Sequence, residues 1–390
     1  MTDNKNCLPL LGEVDVAIVG GGPAGSACAL ALRTHRLAYR VALVESSFYH
    51  ATRLGENVSS ALLPLLDYLE IKEHFLAQAA YVESFAVQAC WGSHIPLLQH
   101  SLRHWSGEGY LLDRRCFDAM LAETFHLRGG KLYLSCRVET ILPAEDEEGG
   151  YLLHLRHQSG KRFALKARFL VDATGRKANI ARRLGATSLH YDALIGVSRF
   201  FEINPAAPWS KDIVIESAPE GWWYSAPLPE NRLVVTWMTD AGLWREQGQD
   251  KLNCWESLLK QAPNSDARLR QTAVAADTTL TVRPAHTHIL DQTVGKNWLS
   301  VGDAAASFDP LSSLGIGFSM HSGCHAARAI VGYLESGEMN SLHHYRDSVK
   351  RQFTEYLPTW QHYYRYETRY LHSPFWRARH EQNSFSQALP

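Results

Sequence analysis

Uninterrupted apolar runs and amphipathic stretches alternate along this chain, and the two patterns predict different elements. Val14 to Gly20 (VDVAIVG) is a β-branched apolar run ending in glycine, the pattern of a strand buried on both faces of a parallel sheet. Ala24 to Thr34 has helix-forming composition, and Arg40 to Glu45 (RVALVE) reads as a second buried strand, so the chain opens with a β-α-β unit. Leu112 to Leu127 has amphipathic helical spacing, Lys131 to Ile141 reads as a strand, and Arg168 to Ala173 is a further apolar strand stopped by a glycine turn. From about Leu194 to Thr239 the pattern changes: apolar residues alternate with polar ones and are broken by Pro and Gly, which predicts a mostly antiparallel sheet. A polar helical stretch follows (KLNCWESLLKQ, Lys251–Gln261), then a return to the buried-strand style at Trp298 to Val301. Residues 341–380 read as helix rich in Tyr, Trp and Arg. There is no internal repeat and no low-complexity linker. This order predicts a sheet unit inserted into a discontinuous α/β body.

Composition narrows the function classes. The chain has 390 residues and a formal net charge of -1, with no basic block to neutralise a phosphate backbone, so nucleic-acid binding is not expected. No apolar run approaches the roughly 20 residues of a membrane helix, and MTDNKNCLPLLGEVD lacks the basic start and apolar centre of a secretory signal. The seven cysteines are odd in number, scattered and never spaced CxxC. They read as free thiols in a reducing, cytoplasmic compartment, forming neither a metal site nor a disulfide frame.

The first chemical motif is GGGPAG, Gly20–Gly25, which fits GxGxxG with Gly20, Gly22 and Gly25. It directly follows a strand and opens a helix at Pro23 and Ala24, the context that gives the motif meaning. Gly20 allows the tight turn, Gly22 lets backbone approach a pyrophosphate, and Gly25 lets the helix sit close to the strand. The helix start then offers free N–H groups to phosphates. Glu45, 20 residues after Gly25, stands where a carboxylate accepts hydrogen bonds from the ribose of an adenine dinucleotide.

The glycine motif does not choose between NAD and FAD; two distant segments do. LVDATGR (Leu170–Arg176) and SVGDAAASFDPLSSLGIG (Ser300–Gly317) resemble the later fingerprints of the FAD-dependent aromatic hydroxylase superfamily. That resemblance implies a Rossmann-like FAD-binding α/β domain (1–80, 105–190 and 285–335). It also implies an inserted antiparallel-sheet substrate domain (81–104 and 191–284), an α+β insertion, and a C-terminal helical segment (336–390). It further implies cofactor contacts from Asp172 and Gly175, from the Gly302–Asp303 pair, and from Pro310, Gly315 and Ile316 beside the flavin ring. Arg53 and Arg114 join this set, Arg114 matching a family arginine near the flavin or else simply starting a helix. No second strand–glycine–helix unit is present, so electrons are expected from a visiting NAD(P)H or a partner reductase.

Within the superfamily the chain resembles the flavin-dependent tryptophan halogenases and their non-halogenating relatives. RLGENVSSALLPLLDYLEI (Arg53–Ile71), GWWYSAPLP (Gly221–Pro229) and YETRYLHSPFWRAR (Tyr366–Arg379) carry the likeness. Where the halogenase motif reads WxWxIP, this chain has Trp222, Tyr224 and Ala226-Pro227. Halogenases also use a buried lysine shortly after the GE segment; the matching stretch, SFAVQACWGS, has none, and no lysine stands between Lys72 and Lys131. A branch that shares these segments without the lysine matures tryptophylquinone-dependent amino-acid oxidases. Similarity to it implies that reduced FAD takes up oxygen as a hydroperoxide whose distal oxygen attacks an electron-rich ring, preferably a tryptophan in a partner precursor protein. The competing readings are a small-molecule aromatic hydroxylase or halogenase, an FAD-dependent reductase of prenyl-type double bonds, and a non-catalytic chaperone.

The candidate reacting residues each carry a plainer alternative. Trp222 and Tyr224 share one face of a strand and either line a cavity over the flavin or pack in the core. Glu56 is a general base, or a partner of Arg53, or a helix cap. Asp309 faces the flavin or caps the helix after it. Pro227 fixes the strand's exit, His321 is a proton carrier or a structural histidine, and Cys90 and Cys324 read as small buried hydrophobes. The run HYYRYETRY is either a docking face for a protein or a surface that packs on the FAD domain.

Overall fold

The computed structural model describes residues 8–381 except 36–37, 101–108, 145–148, 205, 207–209 and 276–277. Residues 1–7 of the start, the boundary at 105 and the tail from 382 lie outside the described residues.

Five strands run parallel, side by side, in the order Lys131–Tyr133, Val41–Val44, Leu10–Val19, Arg162–Asp172 and Trp298–Ser300. The central strand has Val16, Ala17 and Ile18 at 0% exposure, which is why it reads as an unbroken apolar run. Helix Pro23–His35 follows it and is buried from Pro23 to Leu32 between this sheet and helix Gly315–Ser336. The two helices meet at backbone distance: a Cβ on Gly323 would lie 2.3 Å from the Ala24 carbonyl oxygen. The architecture is the expected α/β, Rossmann-like one.

Three boundaries differ from the sequence pattern. The expected strand 131–141 is two strands, because Ser135 turns the chain in the left-handed region (φ 51°). Lys131–Tyr133 extends the parallel sheet, while Cys136–Pro143 pairs antiparallel with Tyr151–His157, which pairs in turn with the first half of Arg162–Asp172. Leu112 ends a strand, Gly109–Leu112, and the helix begins at Arg114 because the Asp113 carboxylate accepts from the N–H groups of Arg115 and Cys116. The C-terminal helix is broken. Asn340–Tyr366 ends before Glu367, whose buried carboxylate accepts from the Gly92 N–H, the Ser217 hydroxyl and Arg369; a second helix, Pro374–Glu381, follows.

The second large sheet has the order Ala273–Ala275, Leu194–Ile203, Arg232–Asp240, Gly221–Leu228, Ile213–Ala218, Ala86–Cys90, Leu97–His100. It is antiparallel except where Ile213–Ala218 meets Ala86–Cys90. Its faces have different partners. Trp223 and Trp237 pack with Trp255 of helix Lys251–Leu259 on one side. Trp222 packs into the core shared with the parallel-sheet body on the other. We propose the inserted unit as residues 86–100 and 194–284, since Tyr81–Ser84 pairs instead with Gly109–Leu112. Among the described residues no helix is long and apolar enough to cross a membrane, and six cysteines are free.

The helix–helix approach generates a test. Gly323→Ala should destabilise the protein by about 1–3 kcal/mol, because backbone must move to admit the methyl group. Gly242→Ala, where a Cβ meets nothing within 4 Å, should leave the thermal midpoint close to wild type. Equal midpoints for the two variants in thermal unfolding would show that this contact does not limit the fold.

Candidate functional site

The strand Leu10–Val19 delivers the chain into the glycine turn. Gly20 has φ 112°, and a Cβ there would sit 2.1 Å from the Ala173 carbonyl oxygen. A Cβ on Gly25 would lie 2.0 Å from the Gly20 oxygen, whereas one on Gly22 would meet nothing within 4 Å. Two of the glycines are therefore required by the fold, and the third faces open space. Glu45 braces the turn from the next strand: its carboxylate accepts from the Gly21 N–H at 2.7 Å, the Ser47 N–H at 2.9 Å and the Ser47 hydroxyl at 2.7 Å. The Tyr49 hydroxyl donates to the Gly21 oxygen at 2.9 Å.

Arg53 and Arg114 come together on a carboxylate that sequence reading missed. Asp118, fully buried, accepts from Arg53 at 2.7 Å and from Arg114 at 3.0 and 3.1 Å. Arg53 also reaches Glu45 at 3.2 Å and lies over the Tyr49 ring, with 4.8 Å to its centroid. Arg114 also donates to the carbonyls of Leu54 and Gly55, so it clamps the GE segment to the helix it starts. The i,i+4 spacing of Arg114 and Asp118 was the available signal.

The later motifs lie at the ends of the neighbouring parallel strands. Asp172 corrects an expectation: it is fully buried and its carboxylate is spent on the chain itself, accepting from the Thr174 N–H and hydroxyl and from the N–H groups of Ile180 and Ala181. It shapes the turn at Gly175 (φ 68°) and does not face a ligand. Gly302 (φ 56°) donates its N–H to the Ser322 hydroxyl, and a Cβ there would strike Ala24 at 2.6 Å. Asp303 pairs with Arg176 at 2.9 Å, and Arg176 also donates to the Phe308 carbonyl.

After a short turn at Pro310–Ser312 and a left-handed Ser313, helix Gly315–Ser336 begins with no side-chain cap on its first N–H groups. Positions Gly22, Gly175, Gly315 and Gly317 would each place a Cβ in open space. A dinucleotide passing these segments would meet backbone N–H groups without a side chain in the way, and two helix starts favour negative charge there. The residues present fit FAD. Ile316 would offer such a ligand backbone only, its side chain being buried in the core.

The GE segment joins this loop to the second sheet. Asn57 donates to the Ser313 hydroxyl at 2.7 Å. Glu56 is 5% exposed and accepts from the Gly55 N–H at 3.0 Å. Burial pushes its carboxyl above the usual range, with Tyr224 and backbone N–H groups opposing. Tyr224 has a half-buried ring and a buried hydroxyl with no hydrogen-bond partner among the described residues. Burial first, then the charge of Glu56, pushes its phenol well above the ordinary value. The two groups are near enough to perturb each other but lack good hydrogen-bond geometry.

Trp222 corrects another expectation. It is fully buried beside Trp91 and Tyr364 and donates to the Tyr364 hydroxyl at 3.1 Å. His321 lies exposed on its helix, Pro227 is buried in its strand, and burial pushes the Cys90 thiol up to about 11 and the Cys324 thiol up to about 12. Among the described residues no lysine is buried, and no group of His, Cys, Asp or Glu could hold a metal ion.

Comparison with known proteins gives the family and the fold. Residues 13–356 match the family described as FAD binding domain. A protein of Marinomonas mediterranea named as an FAD-dependent oxidoreductase, LodB, is 32% identical over 377 residues, spanning 96% of this chain and 99% of its own. The myxobacterial chondrochloren halogenase CndH shares the fold, with a TM-score of 0.85 at 20% identity over 97% of this chain and 88% of its own. The peptidyl tryptophan dihydroxylase QhpG, described as essential for tryptophylquinone cofactor biogenesis, superposes with a TM-score of 0.76 at 25% identity over 96% of this chain and 80% of its own.

The contrast among the glycines predicts separable effects. Gly22→Ala should leave the unfolding midpoint of the apoprotein unchanged and weaken FAD binding at least about tenfold, since a methyl group there would meet only the ligand. Gly25→Ala should lower the midpoint itself. Isothermal titration with FAD beside thermal unfolding measures both; tight FAD binding by Gly22→Ala would place the pyrophosphate elsewhere.

Proposed function

This chain belongs to the family defined by the FAD binding domain and is an FAD-dependent oxidoreductase, and from that premise we propose that it is a monooxygenase of aromatic rings. Its proposed substrate is a tryptophan side chain in a precursor protein during tryptophylquinone biogenesis. The observation that carries this reading is the chemistry where the flavin-facing loop meets the second sheet. A buried carboxyl, Glu56, stands beside a half-buried phenol, Tyr224, with no buried lysine among the described residues. The lysine that the resemblance assigns to halogenation has no counterpart here. The likeness to a peptidyl tryptophan dihydroxylase, at 25% identity over most of both chains, supports the substrate class.

Bound FAD, once reduced, supplies the activated oxygen. The chain's own residues bind, orient and manage the proton. The glycine turn and the start of helix Pro23–His35 would hold the pyrophosphate. Glu45 and Arg53 would serve the ribose end. Gly302 and Asp303, the latter fixed by Arg176, would hold the ribityl–phosphate part, and the N–H groups of Gly315 and Ile316 would serve the ring. The exposed part of the Tyr224 ring offers a flat face for an indole. Glu56, its carboxyl pushed up by burial, accepts the proton that an oxygenated ring must release. Electrons come from NAD(P)H visiting the site or from a partner reductase, and the free cysteines fit a cytoplasmic setting.

Two measurements test this reading. Isolation of the tagged protein from its native host, with intact-mass analysis of any protein that accompanies it, should yield a partner carrying one or two added oxygens on a tryptophan. That modification should vanish when the flavoprotein gene is deleted. An unmodified partner, or oxygenation of a free aromatic molecule alone, would move the substrate to the small-molecule class.

Because a base works only when ionised, turnover should rise with pH through an acid limb lying above the ordinary carboxylate range. Glu56→Gln should abolish that limb and lower turnover by about 10²–10⁴-fold without loss of FAD. An unchanged limb in the variant would remove Glu56 from the proton step.

A further inference from the structure

Tyr356, Trp360 and Tyr364 stand four residues apart on helix Asn340–Tyr366 and share one face of it. All three close on the residue that opens the flavin-facing loop. The Asp309 N–H donates to the Tyr356 hydroxyl oxygen at 3.0 Å. The Trp360 indole N–H and the Tyr364 hydroxyl both donate to Asp309 Oδ2, at 3.1 and 2.8 Å. Asp309 Oδ1 accepts from the Leu311 N–H at 2.9 Å, so the same carboxylate starts the turn Pro310–Ser312. Tyr364 is itself held from the second sheet, its oxygen accepting from the Trp222 indole N–H at 3.1 Å. Asp309 is 1% exposed and Tyr364 0%. A buried carboxylate that loses one of its donors has no water to replace it, so each of these bonds fixes the loop more firmly than a surface contact would.

We infer that Tyr364 is a positioning residue for the cofactor. Through Asp309 it holds Pro310–Leu314 and the first turn of helix Gly315–Ser336 in the orientation that receives the flavin ring. The inference rests on FAD binding and is independent of the substrate, so its failure would leave the proposed tryptophan chemistry untouched.

The surroundings make the ionisation of Asp309 sensitive to this hydroxyl. Asp192, which accepts from the N–H groups of Leu194 and Thr287, adds negative charge nearby. Arg379 lies over the Tyr364 ring, 5.1 Å from its centroid, but is committed to Asp240 by bonds of 2.9 and 2.8 Å. Tyr356 is a further titratable neighbour, and its phenol is pushed well up by burial and by Asp309. Burial, with Asp192 second, pushes the Asp309 carboxyl up to about 6. Removing a donor from the carboxylate moves that value further up, because the neutral acid needs the bond less.

The test uses Tyr364→Phe, which keeps the ring and removes only the hydroxyl, beside Trp222→Phe, which removes the outer bond to it together with part of the buried indole volume and so reports what loss of packing alone does. The expected result for Tyr364→Phe is a loss in FAD affinity of about tenfold, measured by titrating apoprotein with FAD, and an altered visible circular dichroism of the bound flavin. The wild-type visible spectrum should also show a pH step near that of Asp309. The step should move to higher pH in Tyr364→Phe and vanish in Asp309→Asn. Trp222→Phe should stay within about threefold of wild type. Wild-type affinity, dichroism and pH step in Tyr364→Phe would overturn the inference. So would equal losses in both variants, which would mean that the network only packs the core. If Tyr364→Phe does not fold, Trp360→Phe, which removes the other donor to the same oxygen, carries the same expectations and the same refutation.

Discussion

The structure depends on the close approach of two helix starts. Pro23–His35 and Gly315–Ser336 lie side by side because Gly323 has no side chain to hold their backbones apart, and because Gly302 leaves room beside Ala24. Each helix begins at a segment of the cofactor site, one at the glycine turn and the other at the flavin-facing loop. We propose that their partial positive ends serve one ligand, FAD, at different parts of its length. The parallel sheet supplies the turns, but the distance between the phosphate end and the ring end is set by small residues deep in the core.

A second set of contacts orients what that approach brings together. The charge cluster of Glu45, Arg53, Arg114 and Asp118 ties the end of strand Val41–Val44 and the GE segment to helix Arg114–Leu127 through two buried carboxylates. The aromatic face of the C-terminal helix does the same for the opposite wall through Asp309. Between them the Asn57–Ser313 bond closes the ring of contacts around the space where the flavin loop meets Glu56 and Tyr224. The second sheet thus takes part through one face only, Tyr224 lying on the face opposite the Trp223–Trp237–Trp255 cluster.

The opening β-α-β unit, the glycine turn and the fold class were legible because a strand buried on both faces and a strained turn both demand particular residues locally. The inserted sheet was legible from its alternation. The breaks were not: Ser135 and Glu367 turn the chain for reasons held in distant hydrogen bonds, to the Gln158 N–H and to the Gly92 N–H respectively. Asp172 misled because a motif acid at a strand end looks the same whether it faces a ligand or, as here, spends its oxygens on the next turn. Asp118 was signalled only by its i,i+4 spacing from Arg114, and nothing in the residues around Tyr364 reveals that it is buried against chemistry from elsewhere. The run HYYRYETRY was visible as a helical stretch, but the choice between docking face and packing surface needed the partner of Tyr364, Asp309.

The glycines also differ in what would punish their replacement over evolutionary time. A side chain at Gly25 or Gly323 collides with the protein's own backbone, so drift there is blocked before a folded molecule exists. A side chain at Gly22, Gly315 or Gly317 collides with nothing in the polypeptide, so with FAD held as proposed, drift there is blocked only by the cofactor. A descendant that gave up its cofactor would keep the first group and lose the second. The pattern of glycine retention across a lineage would then distinguish members that still carry out redox chemistry from those that have kept only the scaffold.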